Sequence, residues 1–353
     1  MKIIFLALAI FITKITESAA YIPETGETVI ASWKQDQETL YGQGRTANER
    51  MLPNITQALL KAEAYLKYAN NIGKSYLYGL AQSELQPFMN DSNNPQLWLT
   101  WARIQQHKHQ FDQAIISLNK VLAYDKKNIN ANLLMARIYL IKKQHKLAKS
   151  FCLKLMDSAV LNTMNICLLE VMSYAGKLSE SYKNLSALMQ QQVDDTHKSW
   201  LSLILADMAY RLSLFKQAEQ WLDDFPLDEN TSYLSEWADI KLLLIKPFVV
   251  QSKLERLAQG LLSLEDGLLL RLALAEKQIN LLENKQHNKW QQRMKQRVKL
   301  RELRQDKHHA SDLARYYLDI EANQEKALYW ANINWQQAQE YKDLMLLNRA
   351  QLN

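Results

Sequence analysis

Glycine and proline are scarce in this chain, with eight and six copies among 353 residues. Such sparse turn chemistry, beside so much Leu, Ala, Gln and Lys, predicts an all-helical protein. Cysteine is rarer still. Only Cys152 and Cys167 occur, and no C-x-x-C or mixed Cys/His spacing of a metal site accompanies them. There is no glycine-rich phosphate loop, no G-x-S-x-G and no H-E-x-x-H, so enzymatic readings find no motif and no cofactor or metal is expected. After residue 12 the nearest thing to an apolar run is Leu242 to Val250, interrupted by Lys246, which is too short to span a bilayer.

What is present starts with Lys2, the apolar run Ile3 to Ile12 and a polar stretch ending Ser18-Ala19-Ala20. That arrangement predicts a cleavable export signal over residues 1–20, with Tyr21 opening the mature chain. No cysteine lies near the cleavage point, so a lipid-modified anchor is excluded. Residues 21–51 carry Pro23, Gly26, Gly42 and Gly44 with little helical periodicity, and read as an extended leader. The short signal and the richness in Lys, Asn, Gln and Ile point to a bacterial envelope protein, periplasmic or secreted. Export disfavours nucleic acid as a partner. The formal net charge of +6 is only mildly basic, and its distribution matters more.

A small residue recurs at Ala81, Ala114, Ala148, Ser181 and Ala218, at intervals of 33, 34, 33 and 37 residues. Twelve residues before three of these stand Ala102, Ala136 and Ala206, and Phe111-Asp112-Gln113-Ala114 is echoed by Phe215-Lys216-Gln217-Ala218. Two small residues at that offset let paired helices cross closely, and the period is that of a helical repeat. In 95–128, Trp98, Trp101, Ala102, Phe111, Ala114, Leu118, Val121 and Leu122 form two apolar stripes separated by a polar turn, the pattern of a helix hairpin.

These residues resemble the tetratricopeptide repeat family. The match is closest in 95–128 and in 129–162, where Met135, Ala136, Tyr139, Ala148 and Leu155 fit, and His145 stands in place of the usual aromatic. Weaker units extend the likeness over 52–262. The resemblance implies a right-handed superhelical solenoid of helix hairpins. A helical C-terminal region, 263–353, follows, with a helix near 265–283, a basic helix over 284–305, a last hairpin around Leu313 and Trp330, and a closing helix over 339–352. The ending from Leu313 is also similar to exported bacterial repeat proteins, a likeness that supplies no chemistry.

In that family the first helix of each unit lines the concave face. Its ninth position here holds Arg103, Arg137, Glu170, Asp207 and, in a weak fifth unit, Asp239. Neighbouring positions add Gln96, Gln106, His107, Asn130, Tyr174, Trp200, Tyr210 and Arg211. Such a groove, basic at one end and acidic and aromatic at the other, suits a protein segment or extended peptide held by charge-assisted hydrogen bonds. Arg137 and Glu170 could equally pair with each other across adjacent helices. Some family members clamp a C-terminal carboxylate with lysine and asparagine. Leu99 and Leu133 stand at those positions, so that activity is not carried over.

The second candidate surface is the basic helix. Lys285, Lys289, Arg293, Arg297 and Arg301 recur every four residues, and 285–307 holds nine basic residues against two acidic ones. Like charges at that spacing repel, and an anionic membrane or envelope polymer would relieve them. A merely solvated face is the alternative. His107, His109, His308 and His309 fall in polar, turn-like runs where solvated rings are expected. Cys152 and Cys167 should lie on consecutive helices, either as a disulfide or, the favoured reading, as two buried thiols. The expected function is thus a non-catalytic scaffold or assembly factor that binds a protein or peptide in its groove.

Overall fold

The computed structural model describes residues 54–352 apart from 91–92, 157–160, 191–194, 225, 228 and 262–263. The expected signal and leader lie outside the described residues. The chain is an all-α stack of helix hairpins. These are α1 (Ile55–Tyr68) with α2 (Leu77–Leu85), α3 (Pro95–His107) with α4 (Phe111–Tyr124), α5 (Ile129–Ile141) with α6 (His145–Leu153), and α7 (Leu161–Tyr174) with α8 (Leu178–Met189). Then come α9 (Asp195–Arg211) with α10 (Phe215–Asp224), α11 (Thr231–Leu243) with α12 (Pro247–Ala258), α13 (Asp266–Glu283) with α14 (Lys289–Leu303), α15 (Ala310–Asp319) with α16 (Gln324–Gln337), and the last helix α17 (Tyr341–Gln351). Among the described residues no helix is long and apolar enough to cross a membrane.

Asparagine opens the first helix of four hairpins. The side chains of Asn54, Asn94, Asn128 and Asn230 accept backbone N–H bonds from the first turns of α1, α3, α5 and α11. Each such cap is worth about 1 kcal/mol. The hairpin turns explain how so few glycines suffice. In six of the eight hairpins a left-handed residue closes the first helix, at His109, Lys143, Gly176, Ser213, Ile245 and Asn284, and only one of these is glycine. The N–H of the following residue returns to the carbonyl five residues back, as from Gln110 to Gln105, Gln144 to Tyr139 and Leu214 to Ala209. That bond satisfies carbonyls the helix end would otherwise leave unpaired.

The repeated small residues sit where the helices of each hairpin cross. Ala81, Ala114, Ala148, Ser181 and Ala218 have no exposed surface, and Ala102, Ala136 and Ala206 are buried against them. The hairpin rhythm does not stop at residue 262. One apolar core runs from Ala206 through Leu268, Trp290 and Leu313 to Ala350. Three helix starts differ from the sequence reading. α9 begins at Asp195, ahead of Trp200. The basic helix begins at Lys289 and not at 284, because left-handed Asn284 ends α13 and 285–288 form the turn. The final helix begins at Tyr341 because Glu340 and Asp343 form a reciprocal capping box.

Cys152 and Cys167 are bonded to each other, with Cα atoms 5.6 Å apart, which corrects the expectation of two buried thiols. Successive helices α6 and α7 pack side by side and bring the sulfurs within bonding reach.

The stack also folds back on itself. The turn after α1 pairs with the segment before α11: the N–H of Ile72 donates to the carbonyl of Glu229 at 2.8 Å, and that of Thr231 to the carbonyl of Asn70 at 2.8 Å. Gly73 belongs to this contact. It is left-handed, its N–H donates to the Glu265 carboxylate at 3.0 Å, and a Cβ there would come within 2.9 Å of Leu261. Further along, the His109 ring lies 6.5 Å from that of His308, and the N–H of Gln339 donates to the carbonyl of Ile141 at 2.9 Å.

Candidate functional site

Because the chain curls, the inner faces of its odd-numbered helices converge on one cavity of about 980 Å³. Its apolar floor includes Leu133, Leu134, Val171, Leu203 and Ile204. Nine of the sequence-predicted groove residues line it: Gln96, Arg103, Asn130, Arg137, Glu170, Tyr174, Trp200, Asp207 and Asp239. Four do not. Gln106 points elsewhere, and His107 stacks on Tyr78 with ring centroids 3.4 Å apart. Tyr210 lines a second cleft beside Leu243 and Leu281. The Arg211 side chain is only 3 % exposed, so it supports the wall from behind.

The rung charges are linked in a ladder. Arg103 meets Glu63 of α1 at 2.8 Å, and Arg137 meets Glu170 of the next hairpin at 3.1 Å. The Tyr174 hydroxyl donates to Asp207 at 3.0 Å, while Arg211 bonds Asp207 at 2.9 Å and lies 3.9 Å from the Tyr174 ring centroid. Asp239 accepts from Arg271 at 2.6 Å and from Arg315 at 2.9 Å. Pairing across adjacent hairpins, the alternative raised for Arg137 and Glu170, is therefore what the structure shows. The cause is geometric: equivalent positions on neighbouring first helices lie side by side, so opposite charges one period apart meet.

These contacts tune the groups. Arg137 is driven further toward its charged form, first by Glu340 and then by Glu170 against the cost of burial. Burial raises Glu170 despite Arg137, and it raises the Tyr174 hydroxyl well above the usual range. Burial alone would raise Asp239 too, but Arg271 and Arg315 together hold it far below the ordinary carboxylate range.

Sequence reasoning missed part of the lining: Glu63, Arg271, Asp312, Arg315, Glu340, Lys342 and Asp343. One signal was available. Arg271 follows Asp239 by 32 residues, as Asp239 follows Asp207, so the rung rhythm runs past residue 262. Glu63 comes from α1, and the others come from the C-terminal segment after residue 310, whose return to the groove no local pattern encodes.

The basic stripe is divided, which corrects its reading as one surface. Lys285 pairs with Glu283 at 2.7 Å, and Lys289 and Arg293 lie over the Trp290 ring at 4.3 and 5.2 Å. Arg297 and Arg301, by contrast, are turned inward. Both bind the buried Asp266, Arg301 at 2.7 Å, and Arg301 also binds Asp306 at 2.7 Å. Carboxylates of the chain itself thus relieve the like-charge repulsion for three of the five, Lys285, Arg297 and Arg301. Among the described residues no group of three or more His, Cys, Asp or Glu is placed to hold a metal ion.

No family model matches the chain, and no curated protein does. Among solved structures, a tetratricopeptide repeat protein from Parabacteroides merdae is similar over 84% of this chain and 99% of its own, at 12% identity and a TM-score of 0.36. The C-terminal part of a TPR repeat-containing protein from Cytophaga hutchinsonii is similar over 70% of this chain and 99% of its own, at 13% identity and a TM-score of 0.38.

Proposed function

We propose that this protein is an exported, non-catalytic scaffold or assembly factor of the bacterial envelope that holds a segment of another protein in its concave groove. The observation that carries the reading is the convergence of charged and amide side chains from successive first helices, Gln96, Arg103, Asn130 and Arg137 among them, on one cavity with an apolar floor. Polar groups at regular intervals over an apolar base provide orientation and area together, which an extended chain can use along its length.

The test is capture from envelope extracts with the full chain and with a groove variant, Arg103→Ala with Asn130→Ala. Capture should fall sharply while helicity and melting change little, since partly exposed polar groups contribute little to folding. Undiminished capture by the folded variant would reject the groove. A second reading, docking on an anionic surface, keeps support from Lys285 in the turn before α14 and from the exposed Lys289 and Arg293 on it. It predicts that replacing those three with Ala abolishes binding to anionic vesicles, and that the groove variant binds them normally.

A further inference from the structure

We infer that residues 338–343 are a built-in occupant of the groove, and that the outside partner is a peptide segment with an acidic residue followed two positions later by a basic one. This rests on the groove reading above. The strap leaves α16 in extended conformation, with Ala338 at φ −130°, ψ 135° and Glu340 at φ −76°, ψ 173°, and its residues 341–343 form the first turn of α17. Its residues each make a contact, Glu340 and Lys342 with residues of the groove and the others beside it. Ala338 is buried against the core of the second and third hairpins, and the Gln339 N–H reaches the Ile141 carbonyl at 2.9 Å. The Glu340 carboxylate meets Arg137 at 3.0 Å. The Tyr341 ring stands edge-on to Tyr210, centroids 6.3 Å apart, and the Lys342 ammonium binds Glu236 on α11.

A backbone bond near one end and side-chain contacts at intervals are features of a bound peptide. The large apolar anchors of α17, Leu346 and Leu347, lie beyond the strap. The strap contacts are also exchangeable. The Arg137 and Glu236 side chains keep 42% and 35% exposure, so an incoming segment can replace one polar contact by another without baring a buried charge. Glu340-x-Lys342 thereby reads as an internal copy of what the groove selects. While it is seated, external binding is reduced by the fraction of molecules whose groove is open.

The experiment uses a labelled peptide copying Ala338 to Asp343, Ala-Gln-Glu-Tyr-Lys-Asp, titrated into the full chain by fluorescence anisotropy. Against Glu340→Ala with Lys342→Ala it should bind about tenfold or more tightly than against the wild type, because the competitor is gone. The charge-reversed peptide Ala-Gln-Lys-Tyr-Glu-Asp should bind neither, and adding Arg137→Ala to the strap variant should abolish the gain. Should the double variant melt early, Glu340→Gln, which keeps the shape, is to show the same direction of change. Equal binding to wild type and a folded strap variant, or equal binding of the reversed peptide, overturns the inference. Groove-dependent capture from extracts would survive that result, so failure of the strap and failure of the groove are separate observations.

Discussion

Arg137 divides its guanidinium between Glu170 on the next hairpin, at 3.1 Å, and Glu340 just before the last helix, at 3.0 Å. The first partner belongs to the repeat. The second is remote in sequence and arrives only because the C-terminal helices curl back. One side chain therefore reports both on the ladder within the groove and on what closes it.

Enlarging the helix crossings should destabilise the stack. Ala114→Leu or Ala148→Leu forces extra methylenes into sites with no exposed surface, at an expected cost of about 1 to 3 kcal/mol. Thermal melting checks this, and unchanged melting of both variants would contradict the close crossing.

Reducing the Cys152–Cys167 bond should also lower stability. The bond spans 15 residues, and closing a loop of that size is worth about 3 kcal/mol in the chain-entropy account. The wild type should melt lower with reductant present, and Cys152→Ala with Cys167→Ala should melt low with or without it.

Asp266 is expected to be a structural keystone of the basic helix. It is buried and accepts from both Arg297 and Arg301, so Asp266→Asn leaves two inward guanidiniums undercompensated and should cost about 3 to 5 kcal/mol. Urea unfolding measures it. A variant as stable as the wild type would return both arginines to the list of surface-docking candidates.

The strap should respond to pH through Asp343. Burial first, and Glu340 second, push this carboxyl up to about 6, against bonds from Asn334 and the Glu340 backbone. A carboxyl raised on folding is bound more tightly to its proton in the native state. Its contribution is therefore full below the unfolded value near 3.8 and lost as pH rises through about 6, by about 3 kcal/mol. His107, pushed down to about 4 chiefly by desolvation, acts oppositely: its contribution is present above 6.5 and lost toward 4. Comparing the wild type with Asp343→Asn isolates the first effect. The stability difference between them should change across pH 4 to 7, and parallel pH profiles would remove Asp343 from the account.

The hairpins themselves were legible from the chain alone. A small residue every 33 to 37 positions, apolar stripes at helical spacing and few glycines determine close-packed helix pairs, because packing within a hairpin is local. The same rhythm placed Arg103, Arg137, Glu170 and Asp207 on one face, since residues one period apart lie side by side in any stack of equal units. The tertiary structure alone decided where that stack turns back. The pairing of Asn71 with Asn230, the meeting of His109 with His308 and the seating of Glu340 on Arg137 join segments with no shared pattern. They depend on small rotations between successive hairpins that accumulate along the chain, and no single repeat carries that sum. The same accumulation turned Arg297 and Arg301 toward Asp266: a four-residue spacing says that charges share a helix face, and only the neighbouring helix says whether that face meets water.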